Sequence, residues 1–75
     1  MRITYDRSAD AAYIYFVGQI AKGGVHRTYS CDPAEIGGMI NLDFDYSGRL
    51  IGMEILDASK RLPEDLLKEA EIIAV

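Results

Sequence analysis

The sequence predicts an α+β fold: one mostly antiparallel five-stranded β-sheet, built from two hairpins and a middle strand, with a C-terminal α-helix on one face. Three observations carry this. Residues 1–56 hold short runs rich in β-branched and aromatic residues, separated by polar or glycine-bearing turns. After Leu56 the apolar spacing lengthens from two to three and four. The chain has 75 residues, enough for one domain spanning 1–75 and no more.

The first hairpin joins Arg2–Asp6 to Ala11–Val17 through Arg7-Ser8-Ala9-Asp10. A four-residue loop sets Asp6 opposite Ala11, Tyr5 opposite Ala12 and Ile3 opposite Ile14. Opposed residues share a face. One face then carries Met1, Ile3, Tyr5, Ala12, Ile14 and Phe16, and the other Arg2, Thr4, Tyr13, Tyr15 and Val17. Val25–Cys31 reads as the middle strand, entered through Gly23-Gly24 and ended by Asp32-Pro33, since proline has no N–H for a ladder. The last hairpin joins Met39–Phe44 to Arg49–Leu56. Ile40, Leu42 and Phe44 alternate with Asn41 and Asp43; Ile51, Met53 and Ile55 alternate with Gly52 and Glu54. A four-residue loop, 45–48, predicts Leu42 opposite Ile51 and Ile40 opposite Met53, because a one-residue slip would set Asp43 against Ile51. Gly48 supplies the positive φ of the turn. Pro63 suits the first position of a helix, with Glu64 and Asp65 in its first turn. Leu62, Leu66, Ala70 and Ile73 form its stripe, widened by Leu67 and Ala74. Asp57 or Ser59 could cap a short turn before it.

Composition excludes several functions. A net charge of −4, with eight scattered basic residues of which only Lys60-Arg61 are adjacent, argues against nucleic acid, whose binding is driven by counterion release from phosphates. It also disfavours anionic membrane surfaces. The longest apolar run, Ala11 to Val17, is too short to span a bilayer. The chain begins without a basic start and apolar stretch of the signal-peptide kind, and its single cysteine, Cys31, fits a reducing compartment; the expected location is cytoplasmic. One cysteine excludes an internal disulfide. With His26 it makes only two soft or imidazole ligands, so no zinc site is expected. A chain this small buries roughly 60–65% of its unfolded surface. Without a staple, self-association is the remaining source of stability.

Four groups of residues bear on function. Asp43 and Glu54 share the second face with Asn41 between them, and Asp45 lies close by. Hard cations take oxygen ligands, but the spacing fits no calcium loop. Solvated strand residues and a turn aspartate are the better reading. Asp6 and Asp10 flank the first turn, and loop stabilisation outweighs an acid–base pair there. His26 and Cys31 differ by five, so a regular strand points them to opposite faces, against a thiol–imidazole pair. Tyr13, Tyr15 and Val17, joined by Leu50 and Leu56, make the second face apolar enough to be a subunit contact, since tyrosine offers area and a polar tip together; an edge such as Val25–Cys31 is the alternative contact, and an ordinary half-exposed strand face the plain one.

The segment Tyr5-Asp6, followed by Ala9-Asp10-Ala11-Ala12-Tyr13-Ile14, resembles the opening of domain-of-unknown-function family 2283, a group of small, mostly bacterial proteins. Asn41-Leu42-Asp43-Phe44-Asp45, Gly48 and Gly52-Met53-Glu54-Ile55-Leu56-Asp57-Ala58-Ser59 resemble its closing half. The resemblance covers roughly residues 1–60. It implies no established activity and no catalytic residues. It also implies candidate antitoxins, which mask a small toxin-like partner protein.

The expected function is a non-catalytic, homodimeric protein-interaction module without cofactor or metal. The alternative is a small-ligand or divalent-cation-dependent enzyme using Asp43 and Glu54.

Overall fold

A computed structural model describes residues 1–73. The elements run β1 (Arg2–Asp6), β2 (Ala11–Tyr15), β3 (Arg27–Ser30), α1 (Pro33–Ile36), β4 (Ile40–Phe44), β5 (Leu50–Leu56), α2 (Ala58–Arg61), α3 (Glu64–Lys68) and β6 (Glu71–Ile72). They form a six-stranded sheet in the order β3-β4-β5-β2-β1-β6. The connection from β2 to β3 carries the chain past β5 and β4 to the far edge.

The first hairpin has the expected register, with Ile3 opposite Ile14, Tyr5 opposite Ala12 and Asp6 opposite Ala11. Asp6 holds the turn by accepting the N–H groups of Ser8 and Ala9. In the second hairpin the faces are as expected, but the register is two residues away. Leu42 lies opposite Met53 and Ile40 opposite Ile55. The cause is at the turn. Asp45 and Arg49 pair directly (Asp45 N–H to Arg49 O, 2.9 Å), which leaves a three-residue loop closed by Gly48 at φ +79°. A bulge follows: Phe44 opposes Leu50 while Asp43 opposes Gly52, so Ile51 is the extra residue. A slip of two keeps residues 51–56 on their faces, so the hydrophobic pattern there cannot separate the two registers. The bulge also sets Leu50 opposite Phe44, a residue of the apolar face, rather than among Tyr13, Tyr15 and Leu56.

The sheet is mixed, and the expected single helix is replaced by shorter pieces. β6 pairs parallel to β1, with Thr4 opposite Glu71 and Tyr5 opposite Ile72, and Ile73 N–H continues the ladder to Tyr5 O at 3.0 Å. The outer edge of β1 offers unpaired backbone groups, and the β-branched Ile72 and Ile73 satisfy them better than another helical turn would. The helical stripe therefore ends before Ile73; Ala74 lies outside the described residues. Pro63 divides the preceding stretch into α2 and α3 and stands just before α3. A further short helix, α1, follows β3, with Asp32 capping it through Ala34 N–H at 3.0 Å.

The core lies between the apolar sheet face and the α2–α3 segment. Ala12, Ile14, Ile55 and Ala58 are buried at its centre, with Ile3, Tyr5, Ile40, Met53, Leu62 and Leu67 packed around them. Leu67, rather than the expected Leu66, makes the helix contact with this cluster. Ile55 is the largest fully buried side chain. The helices cover one end of the face only, and Tyr29, Phe16 and Leu50 beyond them are exposed.

Candidate functional site

The strand registers align the polar face into two rows running across the sheet. One runs Ser30, Asn41, Glu54, Tyr13, Thr4, Glu71; the other runs Thr28, Asp43, Gly52, Tyr15, Arg2. In the first row Ser30 Oγ donates to Asn41 Oδ1 at 2.7 Å, and Asn41 Nδ2 donates to Glu54 Oε1 at 2.9 Å. In the second, Thr28 Oγ1 donates to Asp43 Oδ1 at 2.6 Å. Tyr13 crosses between the rows. Its hydroxyl donates to Asp43 Oδ2 at 2.5 Å, and its ring lies over the bare backbone of Gly52. A Cβ at Gly52 would fall 2.6 Å from two ring carbons, so only glycine leaves room for this crossing. Tyr15 packs on Tyr13 with ring centroids 4.7 Å apart. The Arg2 guanidinium sits 4.1 Å above the Tyr15 ring and reaches Glu71 at 3.4 Å.

Asp43 and Glu54 thus share a face, as the sequence indicates, but they enter separate hydrogen-bond chains. Both oxygens of Asp43 already accept hydroxyl protons. Burial, reinforced by the bond to Asp43 and by its charge, pushes the Tyr13 hydroxyl well above the ordinary phenol range. Tyr13 and Tyr15 are half-buried, Val17 is exposed, Leu56 is half-buried beside Ala11 and Leu50 is exposed opposite Phe44. Among the described residues no three or more His, Cys, Asp or Glu side chains gather as a metal site. Asp45 is a turn residue: its carboxylate accepts Ser47 N–H, Arg49 N–H and Arg49 Nε. Those bonds, the Arg49 N–H foremost, hold it below the usual carboxylate range.

One constellation escapes sequence reasoning. Asp10 does not close its own turn. Its backbone turns left-handed, at φ 51°, and its carboxylate reaches the start of α2, accepting Ser59 N–H at 3.0 Å and Ser59 Oγ at 2.7 Å. Tyr5 OH donates to the same carboxylate at 2.6 Å, and Ala58 N–H bonds Asp10 O at 2.9 Å. Asp10 therefore caps a helix 49 residues away, the role expected of Asp57 or Ser59: the Asp57 side chain makes no cap bond, and Ser59 donates to Asp10. The Tyr5 bond first, then those from Ser59, hold the Asp10 carboxyl below its ordinary range, and the same bond raises Tyr5. A second feature is a groove of about 590 Å³ at the start of β3, lined by His26, Arg27, Tyr29, Phe44 and Tyr46. His26 stacks on Tyr46 there, with centroids 4.4 Å apart.

The fold and its polar face define a small α+β domain with a mixed sheet whose chemistry-bearing side chains bond chiefly to one another. The profile described as Protein of unknown function (DUF2283) matches residues 2–59, and the chain belongs to that family. Comparison with curated proteins and with solved structures gave no match. Among the described residues no helix is long and apolar enough to cross a membrane.

Proposed function

We propose that the protein is a non-catalytic interaction module that works as a homodimer and masks a small partner protein, in the cytoplasm. The surface area carries the reading. A monomeric protein of 8.3 kDa is expected to expose roughly 4,600 Å². This chain exposes 5221 Å². The excess is that of an open sheet, with Phe16, Tyr29 and Leu50 exposed on the part of the face that the helices leave uncovered. The core supports the same reading, since among the described residues three of the six buried apolar ones are alanines, Ala12, Ala58 and Ala70. The competing reading, a cation-dependent enzyme on Asp43 and Glu54, is weakened by the two hydroxyl groups that already occupy the Asp43 oxygens. Light scattering from micromolar upward tests the dimer. The expected mass is twice that of one chain; a single-chain mass at every concentration overturns it. A toxin-like partner, if the masking role holds, co-purifies at fixed stoichiometry with the tagged protein, and loss of that stoichiometry overturns the masking role alone.

A further inference from the structure

We propose that the dimer forms by antiparallel pairing of β3 with β3 of a second copy, about a two-fold axis at Tyr29, so that the two six-stranded sheets become one; this rests on the homodimer reading. The sheet has two edges, β3 and β6. β6 is two residues long and carries the exposed Glu71, the kind of short, charged edge that resists pairing. β3 is longer, at four residues, and its one charge is Arg27 at its start. Its four residues are all exposed, it contains neither proline nor lysine, and bonds from His26 N–H to Phe44 O and from Cys31 N–H to Ile40 O extend its pairing at both ends.

The ladder fixes which groups face outward. Cys31 N–H points at β4 and the register is uniform over β3, so by alternation Arg27 and Tyr29 also point at β4. The N–H and C=O of Thr28 and Ser30 therefore face solvent. With Tyr29 on the axis, Thr28 meets Ser30 of the second copy on both sides and every outward group of the pair is satisfied. The two Tyr29 side chains then oppose each other as a non-hydrogen-bonded pair, the closest kind, with Cα atoms about 4.5 Å apart. Tyr29, 57% exposed in the single chain, is covered by its own copy, and the apolar stretch of exposed Tyr29 and Leu50 with half-buried Phe44 becomes continuous across the axis.

Charge agrees with this alignment. The strand begins with His26 and Arg27 and is followed by Asp32 and Glu35. Antiparallel self-pairing sets Arg27 of each strand opposite Cys31 of the other, next to the acidic end that begins at Asp32. Arg27 forms no ion pair within the chain among the described residues. A surface whose two ends complement each other is what a two-fold contact requires.

Cysteine cross-linking decides the register. In a Cys31→Ser background, Tyr29→Cys places two thiols within the Cα range that a disulfide spans, about 4.4–6.8 Å. Mild oxidation is expected to give a covalent dimer at least ten-fold faster than Tyr46→Cys in the same background. Thr28→Pro removes an N–H that faces away from β4, so the fold is kept while the dimer dissociation constant rises at least ten-fold. If the wild-type protein is dimeric but Tyr29→Cys cross-links no faster than Tyr46→Cys, or folded Thr28→Pro remains as dimeric as wild type, edge pairing is overturned and the homodimer stands. A wild-type protein that is monomeric overturns both.

Discussion

Single residues on the polar face act through what they leave unoccupied as much as through what they contact. Gly52 is the clearest case, because the Tyr13 ring rests where its side chain would be. Gly52→Ala should cost about 1–3 kcal/mol through forced displacement of that ring. Tyr13→Phe should cost about 1 kcal/mol for the lost bond to Asp43. In a Tyr13→Ala background the Gly52→Ala penalty should nearly vanish, and a double-mutant cycle on urea midpoints measures this directly. Asp10 offers a second test, through pH. Its folded-state pKa is depressed, so its contribution to stability is present above the unfolded value of about 3.9 and is lost as pH falls through the lower folded value. Asp10→Asn should therefore lower stability at pH 7 and flatten the acid limb of the stability–pH curve below about pH 4. Tyr13 works in the opposite sense. Its raised pKa gives stability that holds below about pH 10 and fades as pH climbs through the raised value.

Secondary-structure elements were legible where local rules and tertiary demands agreed. The first hairpin follows from its loop length, and its register is as expected residue by residue. The second hairpin's faces follow from alternation, but its alignment depends on the bulge at Ile51, which leaves no mark in a pattern of period two. Glu71-Ile72 read as the end of a helix because Ala70 and Ile73 continue a helical stripe. They form a strand because β1 lies beside them with a free edge, a fact that no window around residue 71 contains. The polar face was partly legible: Asp43, Glu54 and Asn41 were expected together, whereas the Tyr13 crossing and the Asp10 cap depend on contacts 30 and 49 residues apart. α3 gives a simple check on helix orientation. Leu67 packs on the core cluster and Leu66 lies outside it. Leu67→Ala should lower stability by about 1–3 kcal/mol, clearly more than Leu66→Ala, as read from thermal or urea unfolding.

The whole molecule is a sheet covered at one end and open at the other. Its principal extents of 32 × 29 × 21 Å describe a slab, and the helices lie on one part of one broad face. The carboxylates of the polar face are held by hydroxyl, amide and guanidinium groups of the chain itself. Thermal midpoints in EDTA, Mg²⁺ and Ca²⁺ should therefore agree within about two degrees. A ligand at 100 times its Kd would add ~2.7 kcal/mol and raise the midpoint visibly. A cation-specific rise that Asp43→Asn removes would favour the enzyme reading instead.

The bulged hairpin also has a kinetic side. A collapsing chain that sets Leu42 against Ile51 instead of Met53 still hides the same apolar side chains, so the slid hairpin is a close competitor during folding. What the slid form lacks is the polar stitching, above all the bond between Asn41 and Glu54, which forms only when these two residues are opposed. The hydrogen bonds of the outer face thus act as a proofreading device for an alignment that the greasy side reads ambiguously. Stopped-flow refolding should show a slow phase from chains that must unzip and realign. Asn41→Ala should enlarge the amplitude of that phase more than it lowers the equilibrium stability of the native state.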